Sequence, residues 1–106
     1  MGNKCTVQLI SALLIVLGIL INQSSAGTVL CRRIGPANRC PADTCGPVGI
    51  VRIDHQYPSE CYVIGEPHAD GQQKSRKWYK ITLPNGKQGF INMFYCNGDV
   101  PRCKNT

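Results

Sequence analysis

What the chain lacks narrows its chemistry before any motif is read. No segment repeats apolar residues at helical spacing over enough turns to build an amphipathic helix, so a helical bundle is excluded. Titratable groups are few, with six Asp and Glu and two His in 106 residues, and they are scattered. No serine stands in a strained strand-to-helix elbow. The pair Gly86 and Gly89 belongs to a hairpin, not to the strand-to-helix junction that cradles phosphate. His55 beside Asp54 resembles a base with its orienter, but adjacent residues at a strand edge point to opposite faces. No catalytic residue and no cofactor are therefore expected. A metal site is not expected either, because the cysteines lack paired CxxC spacing and a nearby histidine cluster.

Long apolar runs are also absent, with one exception. Leu9 to Ile21 is apolar, follows Lys4, and precedes Ser24-Ser25-Ala26. A basic start, an apolar core and small residues at the end are the three parts of a secretory signal, placing cleavage before Gly27. A membrane anchor normally needs roughly 20 apolar residues, more than this run supplies. Residues 1–26 are read as the signal, the protein as secreted and extracellular, and the mature chain as having no membrane span. The one glycosylation triplet, Asn22-Gln23-Ser24, falls inside that segment, so the mature domain should carry no N-linked sugar. Repeats and low-complexity tracts are missing too.

Cysteine, by contrast, is abundant. Cys5 leaves with the signal, while Cys31, Cys40, Cys45, Cys61, Cys96 and Cys103 remain. An even set in an exported chain implies three disulfides, with the pairing left open by the spacing. A domain of this size buries only a small core and needs such staples. Of the twelve Lys and Arg, Lys4 alone lies in the signal, so eleven face six Asp and Glu in the mature chain, a net charge of +5. That balance suits anionic surroundings such as sulfated glycans, acidic membrane surfaces or acidic proteins, and solubility alone would also account for it.

Along the mature chain, residues 27–47 combine three cysteines with Gly35, Pro36, Asn38, Pro41 and Gly46. Only Thr28-Val29-Leu30 reads as a strand, and the remainder as a disulfide-pinned loop, because turn formers are too dense for a regular element. Arg32, Arg33 and Arg39 are either a contact patch or a solvated loop. Val48 to Ile53 is rich in β-branched residues and reads as a strand. Asp54 to Glu60 reads as a loop, since Pro58 is unsuited to a central strand. Cys61 to Ile64 is the next strand, and Gly65 to Lys77 a polar excursion. Tyr79, Ile81 and Leu83 then alternate with Trp78, Lys80 and Thr82, the period of a strand with one buried face. Pro84-Asn85-Gly86 is a turn, Phe90 and Ile91 carry the return strand, and Asn92 to Tyr95 form a compact turn. Residues 97–106 form a short tail containing Cys103. The chain is all-β, built of short antiparallel strands.

The run Trp78-Tyr79-Lys80-Ile81, a turn, Gly86-x-x-Gly89-Phe90-Ile91 and Tyr95 resembles the Src-homology-3-like barrel in its bacterial and extracellular forms. The resemblance covers residues 48–96, with the clear motif between Trp78 and Tyr95. It implies a small disulfide-stapled barrel preceded by an irregular N-terminal loop segment. Gly89 suits a barrel corner where a side chain would crowd the next strand. The resemblance makes Trp78 a candidate on the ligand face; equally, Trp78 can pack under the 27–45 loop. Three departures argue against a proline-rich ligand: Asn92 stands where peptide-binding members have Pro, Phe94 where they have Asn, and Asp54 to Glu60 lacks the usual aromatic run, with Tyr57 a partial substitute.

These features point to a secreted, non-enzymatic binding protein. The expected surface comprises Trp78, Lys80, Tyr57 and Phe94 with the basic residues Lys74, Arg76 and Lys77, since aromatic anchors flanked by positive charge suit an acidic protein or glycan. A monomer is expected, and export argues against a nucleic-acid partner. The alternative is a venom, effector or host-defence peptide acting on a receptor, channel or microbe.

Overall fold

The alternation of Tyr79, Ile81 and Leu83 marks the centre of the fold. The computed structural model of the protein describes residues 27–70 and 73–104; the expected signal, residues 1–26, lies outside the described residues. Seven strands form one sheet: β1 (Gly27–Cys31), β2 (Gly35–Asn38), β3 (Pro47–Val51), β4 (Gln56–Asp70), β5 (Gln73–Thr82), β6 (Gln88–Asn92) and β7 (Cys96–Asn97). Their order is β3-β2-β6-β5-β4-β1-β7, with each neighbouring pair antiparallel. No helix occurs among the described residues.

The β5–β6 hairpin forms as the residues require. Tyr79 lies opposite Ile91 and Ile81 opposite Gly89. The turn closes through the Gly86 N–H, which donates to the Leu83 carbonyl at 2.8 Å, while Gly86 adopts the positive φ of 88° that a glycine tolerates without steric cost. A Cβ on Gly89 would stand 2.7 Å from Val48 Cγ2 and 3.1 Å from Ala37 Cβ, so the close approach of β2 and β3 to β6 requires its absence. Tyr79, Ile81 and Ile91 are wholly buried and Leu83 nearly so.

One core serves the whole sheet. Val29 and Cys31 from β1, Ala37 from β2, Val51 from β3, Tyr57 from β4 and Cys96 from β7 join these residues in a single cluster. Strands from both ends of the order can share a core only if the sheet curls around it. The Tyr79 hydroxyl shows how far it curls, donating to Asn97 Oδ1 at 2.8 Å. Asn97 belongs to β7, three places from β5. In a flat sheet those strands would be roughly 14 Å apart, beyond a tyrosine's reach.

Three segments depart from expectation. Gly35–Asn38 is a strand rather than loop, and it pairs with β3 along its length but with β6 only at Asn38↔Phe90. Pro36 therefore has a ladder on one side alone, a position where its missing N–H costs nothing. Pro58 is tolerated for the same reason. It lies within β4 opposite Thr28 of β1, but pairing with β5 begins only at Ser59↔Ile81. Finally, the polar excursion from Gly65 is a two-stranded arm. β4 and β5 continue from Ile64↔Lys77, across a register shift, to His68↔Ser75 and Asp70↔Gln73. A run of polar residues leaves no apolar alternation to read.

Three disulfides staple this frame: Cys31–Cys96, Cys40–Cys45 and Cys61–Cys103. Cys31–Cys96 joins directly opposed residues of β1 and β7. Cys61–Cys103 ties the tail to β4, where the Tyr62 N–H donates to Pro101 O at 2.9 Å and the Cys103 N–H to Tyr62 O at 2.8 Å. Their sequence separations of 65 and 42 residues close large loops, where constraint of the unfolded chain has the greatest effect.

Candidate binding surface

The residues expected to form one surface divide into an interior group and an arm group. Trp78 is 1% exposed. Its indole N–H donates to the Glu66 carbonyl at 2.8 Å, and the loop closed by Cys40–Cys45 reaches the neighbouring Gly65. Pro41 and Trp78 both crowd Gly65 so closely that no Cβ would fit there. The Glu66 N–H in turn donates to Pro41 O at 3.0 Å. Trp78 thus packs under the N-terminal segment, and its expected place on an open ligand face is corrected. A large indole can be buried here because its one polar atom finds a carbonyl.

Tyr57 is corrected in the same way. It is 5% exposed and belongs to the core, with its hydroxyl accepting the Arg52 N–H at 2.9 Å. Lys80 is half-buried on the Trp78 side of β5, opposite Cys61 and Phe90.

The arm keeps the other expected residues accessible. Lys74 and Arg76 are exposed and Lys77 is half-buried. Arg76 Nε donates to the Gly65 carbonyl at 3.1 Å, which bridges the two strands of the arm. Lys77 Nζ lies 4.4 Å from the ring centre of Tyr62 and 5.3 Å from that of Tyr79. Tyr62 and Tyr79 are themselves a cross-strand pair, so one ammonium sits over a two-ring floor, a favourable cation–π arrangement. Asn92, wholly buried, fixes the base of the arm. Its Nδ2 donates to Ser75 O at 3.0 Å and its Oδ1 accepts the Phe94 N–H at 2.9 Å.

Phe94 is half-buried in an aromatic cluster that sequence reasoning missed. The His68 ring centre lies 5.2 Å from Phe94 and 5.3 Å from Tyr95, and Phe94 meets Tyr95 edge-on at 5.0 Å. The Arg33 guanidinium carbon lies 4.2 Å above the Phe94 ring. His68 Nδ1 is 2.8 and 3.0 Å from the two carboxylate oxygens of Asp43. Because a carboxylate only accepts, Nδ1 carries the proton. His68 Nε2 is buried without a partner among the described residues. This hydrogen bond anchors the arm to the Cys40–Cys45 loop from 25 residues away in sequence. Only the register of β4, shifted between Ile64 and His68, brings the two together.

Clefts open elsewhere among the described residues. One of about 580 Å³ is lined by Leu30, Arg32, Asn97, Gly98 and Asp99. Another of about 290 Å³ lies between Glu60, Cys61 and the tail residues Pro101 to Lys104. Neither contains the arm's basic residues. No protein-family model matches the chain, and neither a curated protein nor a solved structure matches it.

Proposed function

We propose that the protein is a secreted, non-enzymatic binding domain whose arm engages an acidic extracellular partner, protein or glycan. The observation that carries this reading is the placement of Lys77 over Tyr62 and Tyr79, on a strand whose other face exposes Lys74 and Arg76. A cation held against aromatic rings loses little freedom on binding, and with the accessible part of Tyr62 it offers an anionic group charge beside an apolar edge. The disulfides accord with an extracellular setting. The scaffold remains, on our reading, a relative of the Src-homology-3-like barrel, supported by the Tyr79–Leu83 alternation and the crowded corner at Gly89. Trp78 has no part in the surface.

Capture from extracellular extract tests the reading. Immobilised wild type is compared with Lys74→Glu/Arg76→Glu and with Lys77→Ala, each verified as folded by near-ultraviolet circular dichroism. A partner that is retained by wild type, lost from the charge-reversed arm, and released by added salt is the expected result. Equal capture by all three proteins would remove the arm from consideration.

A further inference from the structure

A second surface, separate from the arm's Lys74, Arg76 and Lys77, is built from isoleucines and arginines. The exposed large hydrophobics among the described residues include Ile34 at 65%, Ile50 at 64% and Ile53 at 52%, and these three share one end of the β2–β3 ribbon. Pro36 lies opposite Ile50 and Gly35 opposite Val51, so Ile34 and Ile50 turn outward while Gly35, Ala37 and Val51 turn in. Ile53 follows β3 in the link to β4. That link is clamped to the end of β1, where the β1–β2 link begins, by the Asp54 N–H to Cys31 O at 2.7 Å and the Cys31 N–H to His55 O at 3.0 Å.

The same two links carry Arg32, Arg33 and Arg52, all exposed. None of the three is held in an ion pair among the described residues, although Arg33 also lies over the Phe94 ring and Arg32 lines a cleft with Asp99; Asp54 stands in the link that carries Arg52. A single exposed isoleucine is ordinary, but three together, with exposed arginines in the same two links, form a patch that wants an occupant.

We infer that this ribbon end docks on an anionic lipid surface, with the isoleucines entering the acyl boundary and the arginines meeting headgroup phosphates. The chemistry favours lipid over protein. Protein hot spots use aromatic anchors seated in pockets, whereas these prongs are aliphatic and project from the surface. Guanidiniums match phosphate oxygens in bidentate pairs. Apolar insertion combined with basic attraction is the two-part signal that makes peripheral membrane binding stable.

The test uses the chain from Gly27, which carries every strand and disulfide described above, and floats it with vesicles of phosphatidylcholine alone or mixed with phosphatidylglycerol. Wild type should float with the mixed vesicles and not with phosphatidylcholine alone. Ile34→Ser/Ile53→Ser should bind at least about tenfold more weakly, from the apolar area withdrawn. Arg32→Gln/Arg52→Gln should also weaken binding about tenfold or more. The arm variant Lys74→Glu/Arg76→Glu should still float, which separates this surface from the one proposed above. The inference is overturned if wild type ignores the mixed vesicles, if the isoleucine variant floats as well as wild type, or if the arm variant alone abolishes binding. It is equally overturned if the isoleucine patch retains a soluble acidic protein while vesicles are not bound. Near-ultraviolet circular dichroism confirms that each variant is folded.

Discussion

The indole N–H of Trp78 donates to the Glu66 carbonyl at 2.8 Å, and this bond turns the chain's one tryptophan from a surface anchor into a clasp. Glu66 lies at the root of the arm, and its own N–H is bound by Pro41 O of the disulfide loop. Arm, loop and central strand therefore meet at a single side chain.

Trp78→Ala should lower stability by about 3–5 kcal/mol, the range for emptying a large aromatic site. It would also leave the Glu66 carbonyl without its donor. Urea denaturation followed by circular dichroism measures the loss. A change under about 1 kcal/mol would show that Trp78 is not the buried clasp described here.

Opening the small loop should expose the same residue. Cys40→Ser/Cys45→Ser removes a closure of 5 residues, worth about 2 kcal/mol in chain entropy. The core cluster does not include these cysteines, so the sheet should persist. Since the protein has one Trp, its fluorescence reports on this site alone, and the emission maximum should shift to longer wavelength in the folded variant. An unshifted maximum would mean that the loop does not cover the indole.

Tyr79→Phe tests the curl of the sheet. The substitution deletes the 2.8 Å bond to Asn97 Oδ1 while keeping the ring in the core. A destabilisation of about 0.5–1.5 kcal/mol is expected, because Asn97 is exposed and water can replace the lost donor. The Asn97→Ala change made on top of Tyr79→Phe should then add little, since the two residues share one interaction. Full additivity in that cycle would place β7 away from β5.

Local chemistry was legible where one face of a strand is buried and the other is not. Tyr79, Ile81 and Leu83 alternate because a pleated strand sends successive side chains to opposite faces, and the structure buries all three. The turn at Gly86 and the crowding at Gly89 were likewise carried by residue type. The arm and β2 were hidden for the opposite reason. Polar residues along the arm carry no apolar period, and Pro36 and Pro58 break strands only where a second neighbour needs their N–H. The binding surface was half legible: Lys74, Arg76 and Lys77 were visible as a basic cluster, but Tyr62, which lies under Lys77, was not.

By itself the sequence determined an all-β chain centred on the Trp78–Tyr95 hairpin, with its cysteines oxidised. It left the fate of Trp78 open between a ligand face and a place beneath the N-terminal segment. Only the tertiary structure decided that, because the choice rests on Pro41, Gly65 and Glu66 meeting around the indole. Those residues are brought there by the Cys40–Cys45 closure and the bulged register of β4. Contacts between residues so far apart in the chain leave no periodic trace in it, since each is set by how the sheet curls rather than by what stands beside it.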